Sequence, residues 1–169
     1  MPALDAVDVH ARLKARFADA IGELTGTRRD NFAAAVEPAQ IAAVCAFLKT
    51  EPGLEFDCLT NLSGVDYPKR TVIEVVYHLY SYTHRHLFTL KVGAPRDNPV
   101  VPSVAAVWSA ADWQERGVFD LLGVTFAGHP DLRRILMPED WPGHPLRKDF
   151  VEPQEYHGIS TSRESLLKA

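Results

Sequence analysis

The sequence is poor in cysteine and has no excess of positive charge. Its two cysteines, Cys45 and Cys58, are not in a CxxC pair, so nothing supports a zinc ribbon, an iron–sulfur site or a disulfide framework. Eighteen Lys and Arg stand against 22 Asp and Glu, which gives a net charge of −4. This balance argues against binding to an anionic membrane surface, and we expect no nucleic-acid partner.

Long hydrophobic runs and common catalytic motifs are also missing. No uncharged stretch reaches the 18 residues that a membrane-spanning helix needs, and the N-terminus does not have the pattern of a secretory signal. There is no GxxxxGK phosphate loop, and neither Ser63 nor Ser103 lies in a GxSxG motif. We therefore expect a protein on the cytosolic side that has no catalytic site of its own.

Hydrophobic periodicity predicts two helices and then three strands. Apolar residues recur every fourth position from Val9 to Ile21, which predicts an amphipathic helix over residues 5–24. A second helix is expected to begin near Pro38 and to end before Pro52. Alternating and β-branched stretches then predict strands over 54–64, 71–82 and 86–92, the last two forming a hairpin.

In the second half of the chain, the sequence predicts shorter helices, and beyond them the hydrophobic periodicity ends. Pro102 is placed to begin a short helix, and Asp112 to cap a further helix that Gly123 closes. We expect an α+β fold with a two-layer mixed sheet of about three to five strands and helices mainly on one face. We expect residues 1–126 to form the globular domain and residues 127–169 to form an extended, irregular C-terminal arm that docks on a partner subunit.

The arm contains the same turn twice. Gly128-His129-Pro130 is followed by Arg133-Arg134, and Gly143-His144-Pro145 is followed by Arg147-Lys148. Four prolines and two glycines in residues 128–150 prevent a continuous helix, yet the segment is too apolar for a free linker. Two interpretations are equally open here: the arm packs on its own domain, or it offers aromatic, Met and Arg side chains to another protein.

Histidines offer an alternative function. His84 and His86 are two residues apart on a predicted strand, and His78 lies in the opposite strand, so the three could hold a metal in a free-standing enzyme. A basic pair of strands is the simpler interpretation. His129 and His144 have no further ligand at a suitable spacing.

Two carboxylates fall on the predicted helix before the arm. Glu115 and Asp120 are five residues apart, which is not the separation that places two carboxylates on one helix face. Arg116 beside them predicts ion pairing instead of a carboxylate with a raised pKa. The pair therefore does not predict acid–base catalysis.

Three consecutive stretches resemble a known family: WQER (113–116), FDLLGV (119–124) and the arm itself, GHPDLRRILMPEDWPGHPLRKDF. They are similar to the signature of the C-type subunit of NADH-quinone oxidoreductase, which is the thirty-kilodalton subunit of respiratory complex I. The match runs without a gap from about Trp108 to Phe150. The family usually has Glu where this chain has Gly117, and a glycine inside a helix costs on the order of 1 kcal/mol relative to alanine.

The resemblance implies a non-catalytic structural subunit in the peripheral arm of a proton-translocating enzyme that transfers electrons from NADH to quinone. In the family, the C-terminal arm wraps over the D-type subunit of forty-nine kilodaltons, which forms the quinone pocket with the B-type subunit on the cytoplasmic side of the cell inner membrane. FMN, iron–sulfur clusters and quinone are bound by other subunits. The resemblance thus implies no cofactor, catalytic residue or metal in this chain, and membrane association only through the complex.

The resemblance also implies a partner interface rich in charge. Two basic pairs are expected to make charge-assisted bonds to the D-type subunit: Arg133, Arg134, Arg147 and Lys148. Three helix residues are expected to brace the root of the arm: Glu115, Arg116 and Asp120. Four more complete the predicted interface: His129, Asp131, Trp141 and His144. The nearest alternative is the equivalent subunit of a membrane-bound hydrogenase or of a ferredoxin- or F420-dependent relative, because other subunits bind the electron donor.

Overall fold

The chain forms a mixed sheet with helices on one face, followed by a long arm. The computed structural model describes residues 5–27 and 32–161. These residues form three α-helices: α1 (Ala6–Phe17), α2 (Ile41–Thr50) and α3 (Ala110–Leu122). They also form nine strands: β1 (Ile21–Thr25), β2 (Ala33–Val36), β3 (Cys58–Tyr67), β4 (Val72–Ser81), β5 (His86–Pro95), β6 (Val100–Pro102), β7 (Thr125–Ala127), β8 (Glu155–Tyr156) and β9 (Ile159–Ser160). The predicted α+β class is confirmed.

The main sheet has five strands in the order β1-β2-β5-β4-β3. β2 and β5 run parallel, and the other neighbours run antiparallel. At its centre, the β4–β5 hairpin pairs Val72 with Pro95 at one end and Ser81 with His86 at the other. The predicted hairpin is therefore confirmed. Its continuous run of paired residues is the longest in the described sheet.

One face of the sheet carries the hydrophobic core. Alternate residues of β4 from Ile73 to Leu79 are completely buried there, because side chains two apart on a strand share a face. All three helices add residues to the same core: Val9, Leu13, Ile41, Leu48, Val118 and Leu122. α3 approaches β3 closely at Gly64, where a Cβ atom would overlap with the Leu122 side chain. This glycine sets the distance between α3 and the sheet.

The N-terminal helix is shorter than predicted. The prediction of a helix over residues 5–24 is wrong beyond Phe17, because Ala18 takes a positive φ of 44° and edge strand β1 follows. Ile21 is the last of the apolar residues that recur at every fourth position, and it pairs with Val36 of β2 instead of belonging to the helix. Residues four apart share a face in a strand as well as in a helix, so this spacing did not distinguish the two. β2 was not predicted, because its alanine-rich sequence has little strand propensity.

Other boundaries also differ from the prediction. β3 begins at Cys58 instead of residue 54 and continues beyond Gly64, because its pairing with β4 extends to Tyr67. The helix predicted to begin at Pro102 is wrong, since Val100–Pro102 is a strand parallel to β7. Asp112 lies inside the first turn of α3 and does not cap it. Gly123 does close this helix, with a φ of 73°.

From residue 128 to residue 154 the arm has no helix or strand. The short β8–β9 hairpin follows, so the predicted irregular arm is confirmed over the described residues. The predicted end of the arm, residues 162–169, lies outside them. Among the described helices, none has the length and apolar character needed to cross a membrane.

Candidate partner-binding arm

The first GHP turn is attached to the beginning of α3. The His129 side chain is completely buried, and its Nε2 donates to the backbone oxygen of Asp112 at 3.0 Å. Its Nδ1 accepts from the backbone nitrogen of Asp131 at 3.0 Å. The two bonds assign the ring tautomer and fix the direction in which the arm leaves β7.

The second GHP turn is attached to the end of the same helix. His144 Nδ1 donates to the backbone oxygen of Asp120 at 2.9 Å, the Leu146 nitrogen donates to Leu121 O at 3.0 Å, and Arg147 Nε donates to Leu122 O at 2.7 Å. The last carbonyls of a helix have no partner within the helix, and a cation there is favourable for the helix dipole. The repeated turn thus holds the arm at both ends of α3.

The strongest attachment between the two turns is the carboxylate of Asp120, which is completely buried. Its Oδ2 accepts from the three consecutive backbone nitrogens of residues 135–137, at 3.1, 2.7 and 2.8 Å. Its Oδ1 accepts from Arg134 Nη1 at 2.9 Å, and Arg134 Nη2 also donates to the carbonyls of Trp141 and Gly143. Burial by itself raises the pKa of Asp120, but these bonds outweigh it and the pKa lies below its ordinary value.

Glu115 supports the turn before α3. Its carboxylate accepts from Ser103 Oγ at 2.6 Å and from the Val104 nitrogen at 2.7 Å. Burial raises the pKa of Glu115, although both bonds oppose the shift. The prediction that Arg116 would pair with this carboxylate and keep its pKa ordinary is wrong, because Arg116 donates to carbonyls of the arm instead. Helical spacing alone could not show that Glu115 points into the core.

A third attachment joins the far end of the arm to the sheet. Arg96 donates to both carboxylate oxygens of Asp66, at 2.7 and 3.0 Å, and to both oxygens of Asp149. The Lys148 backbone nitrogen also donates to Asp66, at 2.8 Å. The bonds from Arg96 hold the pKa of the buried Asp66 below its usual range. Sequence analysis missed Asp66 and Arg96, because Asp66 lies in β3, Arg96 follows the end of β5, and no local pattern links them.

The predicted interface residues therefore gather around α3 and are used in different ways. Glu115, Asp120 and the His129 side chain are enclosed by this chain, and Arg134 is 16% exposed. Arg133 and Asp131 pair with each other on the surface, where they are 66% and 53% exposed. Trp141 and His144 are half-buried, and Lys148 is exposed. Their contact with a partner subunit stays a prediction.

The histidines of the hairpin do not form a common site. His86 is buried on the core face, where its Nε2 donates to the Leu54 carbonyl at 2.9 Å, whereas His78 is exposed on the other face of the sheet. His84 Nε2 bonds to Glu55. Across residues 5–27 and 32–161, no group of three or more His, Cys, Asp or Glu side chains is placed to share a metal ion.

Comparison with known proteins identifies the family. Residues 34–156 match the 30 kDa subunit of respiratory-chain NADH dehydrogenase. The chain belongs to this family. The C-type subunit of NADH-quinone oxidoreductase from a Roseiflexus species is 50% identical over 148 residues, which are 87% of this chain and 84% of the relative. The C-type subunit from Chlorobium phaeobacteroides is 41% identical over 158 residues, which are 93% of each.

Two solved structures share the fold of this respiratory-chain subunit. A chain of the membrane-bound sulfane sulfur reductase, an archaeal respiratory membrane complex, superposes with a TM-score of 0.73 and 25% identity, covering 88% of this chain and 86% of that one. The trypsin-resistant fragment of Nqo5 gives a TM-score of 0.64 and 25% identity, covering 76% of this chain and all of the fragment. The predicted family is confirmed, and the similarity extends through the sheet domain as well as the arm.

The arm of this respiratory-chain subunit presents apolar side chains to its surroundings. Leu136, Leu146 and Val151 are 64%, 55% and 84% exposed. In the same segment, the polar groups of Arg134 and Arg147 donate to other parts of the chain. These apolar side chains remain available for contact with another protein, whereas the two arginines are already bonded within the chain.

Proposed function

We propose that the chain is a non-catalytic structural subunit of the peripheral arm of a proton-translocating NADH-quinone oxidoreductase. Its C-terminal arm binds the D-type subunit, next to the B-type subunit, and so attaches the chain to the quinone-reducing part of the complex. Other subunits bind FMN, the iron–sulfur clusters and quinone, and this chain binds none of them. It lies on the cytoplasmic face of the inner membrane and is held there only through the complex.

The attachment of the arm to α3 is the observation that supports this proposal. Buried Asp120 binds three backbone nitrogens of the arm and Arg134, so the segment has a defined shape before it meets a partner. A binding segment that is ordered in advance loses less conformational entropy on docking. Leu136 and Val151 are left exposed on that ordered segment, where they supply apolar area to the interface.

The test is to recover the complex with a tagged chain. The full chain, purified from native membranes, should bring the other peripheral-arm subunits with it, as identified by mass spectrometry. Leu136→Ser and Val151→Ser should reduce that recovery, whereas Tyr82→Ser should not, although Tyr82 is 67% exposed at the tip of the β4–β5 hairpin. Recovery of the chain alone, or equal recovery with all variants, would contradict the proposal.

The non-catalytic role needs a separate measurement. Arg134→Ala removes the arginine that bonds Asp120 and two carbonyls of the arm, so fewer complexes should assemble. Each assembled complex should keep its normal turnover, measured as NADH-dependent quinone reduction per FMN. Normal assembly with abolished turnover would assign this chain a role in the reaction.

A second candidate is the equivalent subunit of a related membrane complex with another electron donor. The shared fold of the sulfane sulfur reductase chain is compatible with it, whereas the relatives at 41–50% identity, which are C-type subunits of NADH-quinone oxidoreductase, favour the first candidate. The co-purified subunits distinguish the two. A flavin subunit together with a complex I subunit of the seventy-five-kilodalton type indicates NADH as the donor, and a nickel–iron hydrogenase large subunit indicates the alternative.

A further inference from the structure

The β8–β9 hairpin at the end of the described chain is too small to be stable by itself. Each of its strands has two residues, and an isolated pair of strands is at best marginally stable in water. The two residues of its turn have positive φ values, 50° at His157 and 75° at Gly158. This conformation is natural for glycine and unfavourable for histidine. The hairpin therefore depends on contacts with the rest of the arm.

Asp140 and Trp141 of the arm make those contacts. The Asp140 carboxylate accepts from Tyr156 Oη at 2.6 Å and from His157 Nε2 at 2.7 Å. The ring of Trp141 lies against that of Tyr156, with the centroids 4.9 Å apart. The bonds from Tyr156 and His157 lower the pKa of Asp140, so this acceptor is ionised at neutral pH. The hairpin thus closes onto residues 140–141.

The contacts that hold the hairpin closed are weak and are opposed by a cost. The side chains of His157 and Asp140 are 62% and 59% exposed, and bonds between exposed side chains contribute little to stability. The indole Nε1 of Trp141 is buried, and it has no hydrogen-bond partner among the described residues. Because a buried donor without an acceptor is unfavourable, the closed and open positions of the hairpin should be similar in free energy.

Trp141 belongs to the anchored part of the arm, so it would stay in place when the hairpin moves. Its backbone nitrogen donates to Pro138 O at 3.1 Å, and its carbonyl accepts from Arg134, the arginine that also bonds the buried carboxylate of α3. Residues 151–154, which lead to the hairpin, form no helix or strand, and Val151 is 84% exposed. This connection can therefore serve as a hinge.

We propose that the β8–β9 hairpin is a latch that closes over Trp141 and opens as a unit about residues 151–154. Opening uncovers the indole ring and gives its N–H access to an acceptor. An element with two positions of similar free energy is shifted by any group that binds one of them better. The latch is a property of this chain alone, whereas its consequence, that a partner subunit contacts the uncovered Trp141, rests on the proposed function.

Hydrogen exchange in the wild-type chain tests whether the hairpin opens separately from the arm. The Thr161 nitrogen, which donates to Gln154 O at 3.0 Å, reports on the hairpin. The nitrogens of residues 135–137, which bond to Asp120, report on the anchored arm. Relative to unfolded peptides, protection at Thr161 should be at least about tenfold lower than at residues 135–137. Equal protection would show that the two open together and would overturn the proposal.

A matched pair of variants tests the contact that closes the latch. Both are made with Trp113→Phe, because Trp113 is 69% exposed and Trp108 only 4%, so acrylamide quenching of fluorescence then reports mainly on Trp141. Asp140→Ala should raise the quenching constant by about twofold or more, because the hairpin stays open. Glu139→Ala removes the neighbouring exposed carboxylate and should change nothing. Equal quenching with both variants would show that Asp140 does not close the hairpin.

Recovery of the complex separates the latch from the proposed function. If the wild-type chain recovers no partner subunits, the proposed function fails, and the two measurements on the chain alone still decide the latch. Asp140→Ala should recover at least as much as the wild-type chain, because the partner no longer has to displace the hairpin, whereas Trp141→Ala should recover less. If Asp140→Ala recovers as little as Trp141→Ala, binding needs the closed hairpin and the proposed latch is wrong.

Discussion

Replacing Asp120 with alanine should release the arm from α3. The substitution removes the single carboxylate that accepts the backbone nitrogens of residues 135–137, and it leaves Arg134, which is 16% exposed, without its counter-ion. The arm would keep its attachments at His129 and His144. We therefore expect the middle of the arm to open first, followed by a loss of stability of the whole domain.

The magnitude follows from the number of bonds lost. Breaking a buried ion pair by removing one partner typically costs about 3–5 kcal/mol, and each hydrogen bond to a charged group contributes about 1.5–3 kcal/mol. Arg134 keeps some solvent and its two carbonyl acceptors, so the lower end of the range applies. We expect Asp120→Ala to reduce the free energy of unfolding by about 3 kcal/mol. Asp120→Asn should cost less, because its amide oxygen can still accept one or two of the bonds.

Two assays report this change. Urea unfolding gives the global loss, and hydrogen exchange at residues 135–137 gives the local opening of the arm. Asp131→Ala is the matched control, because this carboxylate is 53% exposed and pairs with exposed Arg133, so its removal should cost less than about 1 kcal/mol. An Asp120→Ala chain with control-like stability and unchanged exchange at residues 135–137 would refute the assignment of Asp120 as the main attachment.

Three further predictions concern the elements that support the arm. Gly64→Ala should reduce the free energy of unfolding by about 1–3 kcal/mol in a urea titration, because the new methyl group overlaps α3. Glu115→Ala should cost about 3 kcal/mol and Glu115→Gln about 1 kcal/mol in the same assay, because only the alanine leaves the Val104 nitrogen with no acceptor. Arg96 lowers the pKa of Asp66, so the pair stabilises the fold above the ordinary carboxyl pKa, and this stabilisation is lost as the pH falls through the lowered pKa. When unfolding is measured from pH 7 to about 2.5, Arg96→Gln should therefore lose less free energy of unfolding on acidification than the wild-type chain.

The parts of the fold that sequence analysis predicted correctly depend on local patterns. The β4–β5 hairpin is marked by two adjacent β-branched and aromatic stretches, and the end of α3 is marked by Gly123. β1 and β2 were missed because their strand character comes from pairing with each other and with β5. Pairing between distant segments leaves no periodic signal in either segment, so the edge of the sheet next to the N-terminus could not be predicted.

In the candidate site, too, local sequence patterns were predicted and contacts between distant residues were not. The repeated GHP turn was visible in the sequence, and its association with the helix before it was partly expected from Glu115, Arg116 and Asp120. The acceptors were not visible, because the two histidines bind backbone carbonyls of α3, which every helix has. The bond between Arg96 and Asp66 joins β3 to the bend after β5, thirty residues away in sequence, and single-sequence reasoning has no means to connect them.

Two of the four cations that are predicted to bind a partner, Arg134 and Arg147, also bond within the chain. The carboxylate of Asp120 and the last carbonyls of α3 lie next to the arm, so the guanidinium groups of Arg134 and Arg147 bond to acceptors within the chain and are partly desolvated in the chain alone. An interface then gains little from them as charges, whereas Leu136 and Leu146 still have apolar surface to bury. The charges therefore hold the arm in its shape, and we expect its affinity for a partner to come mainly from the exposed apolar side chains.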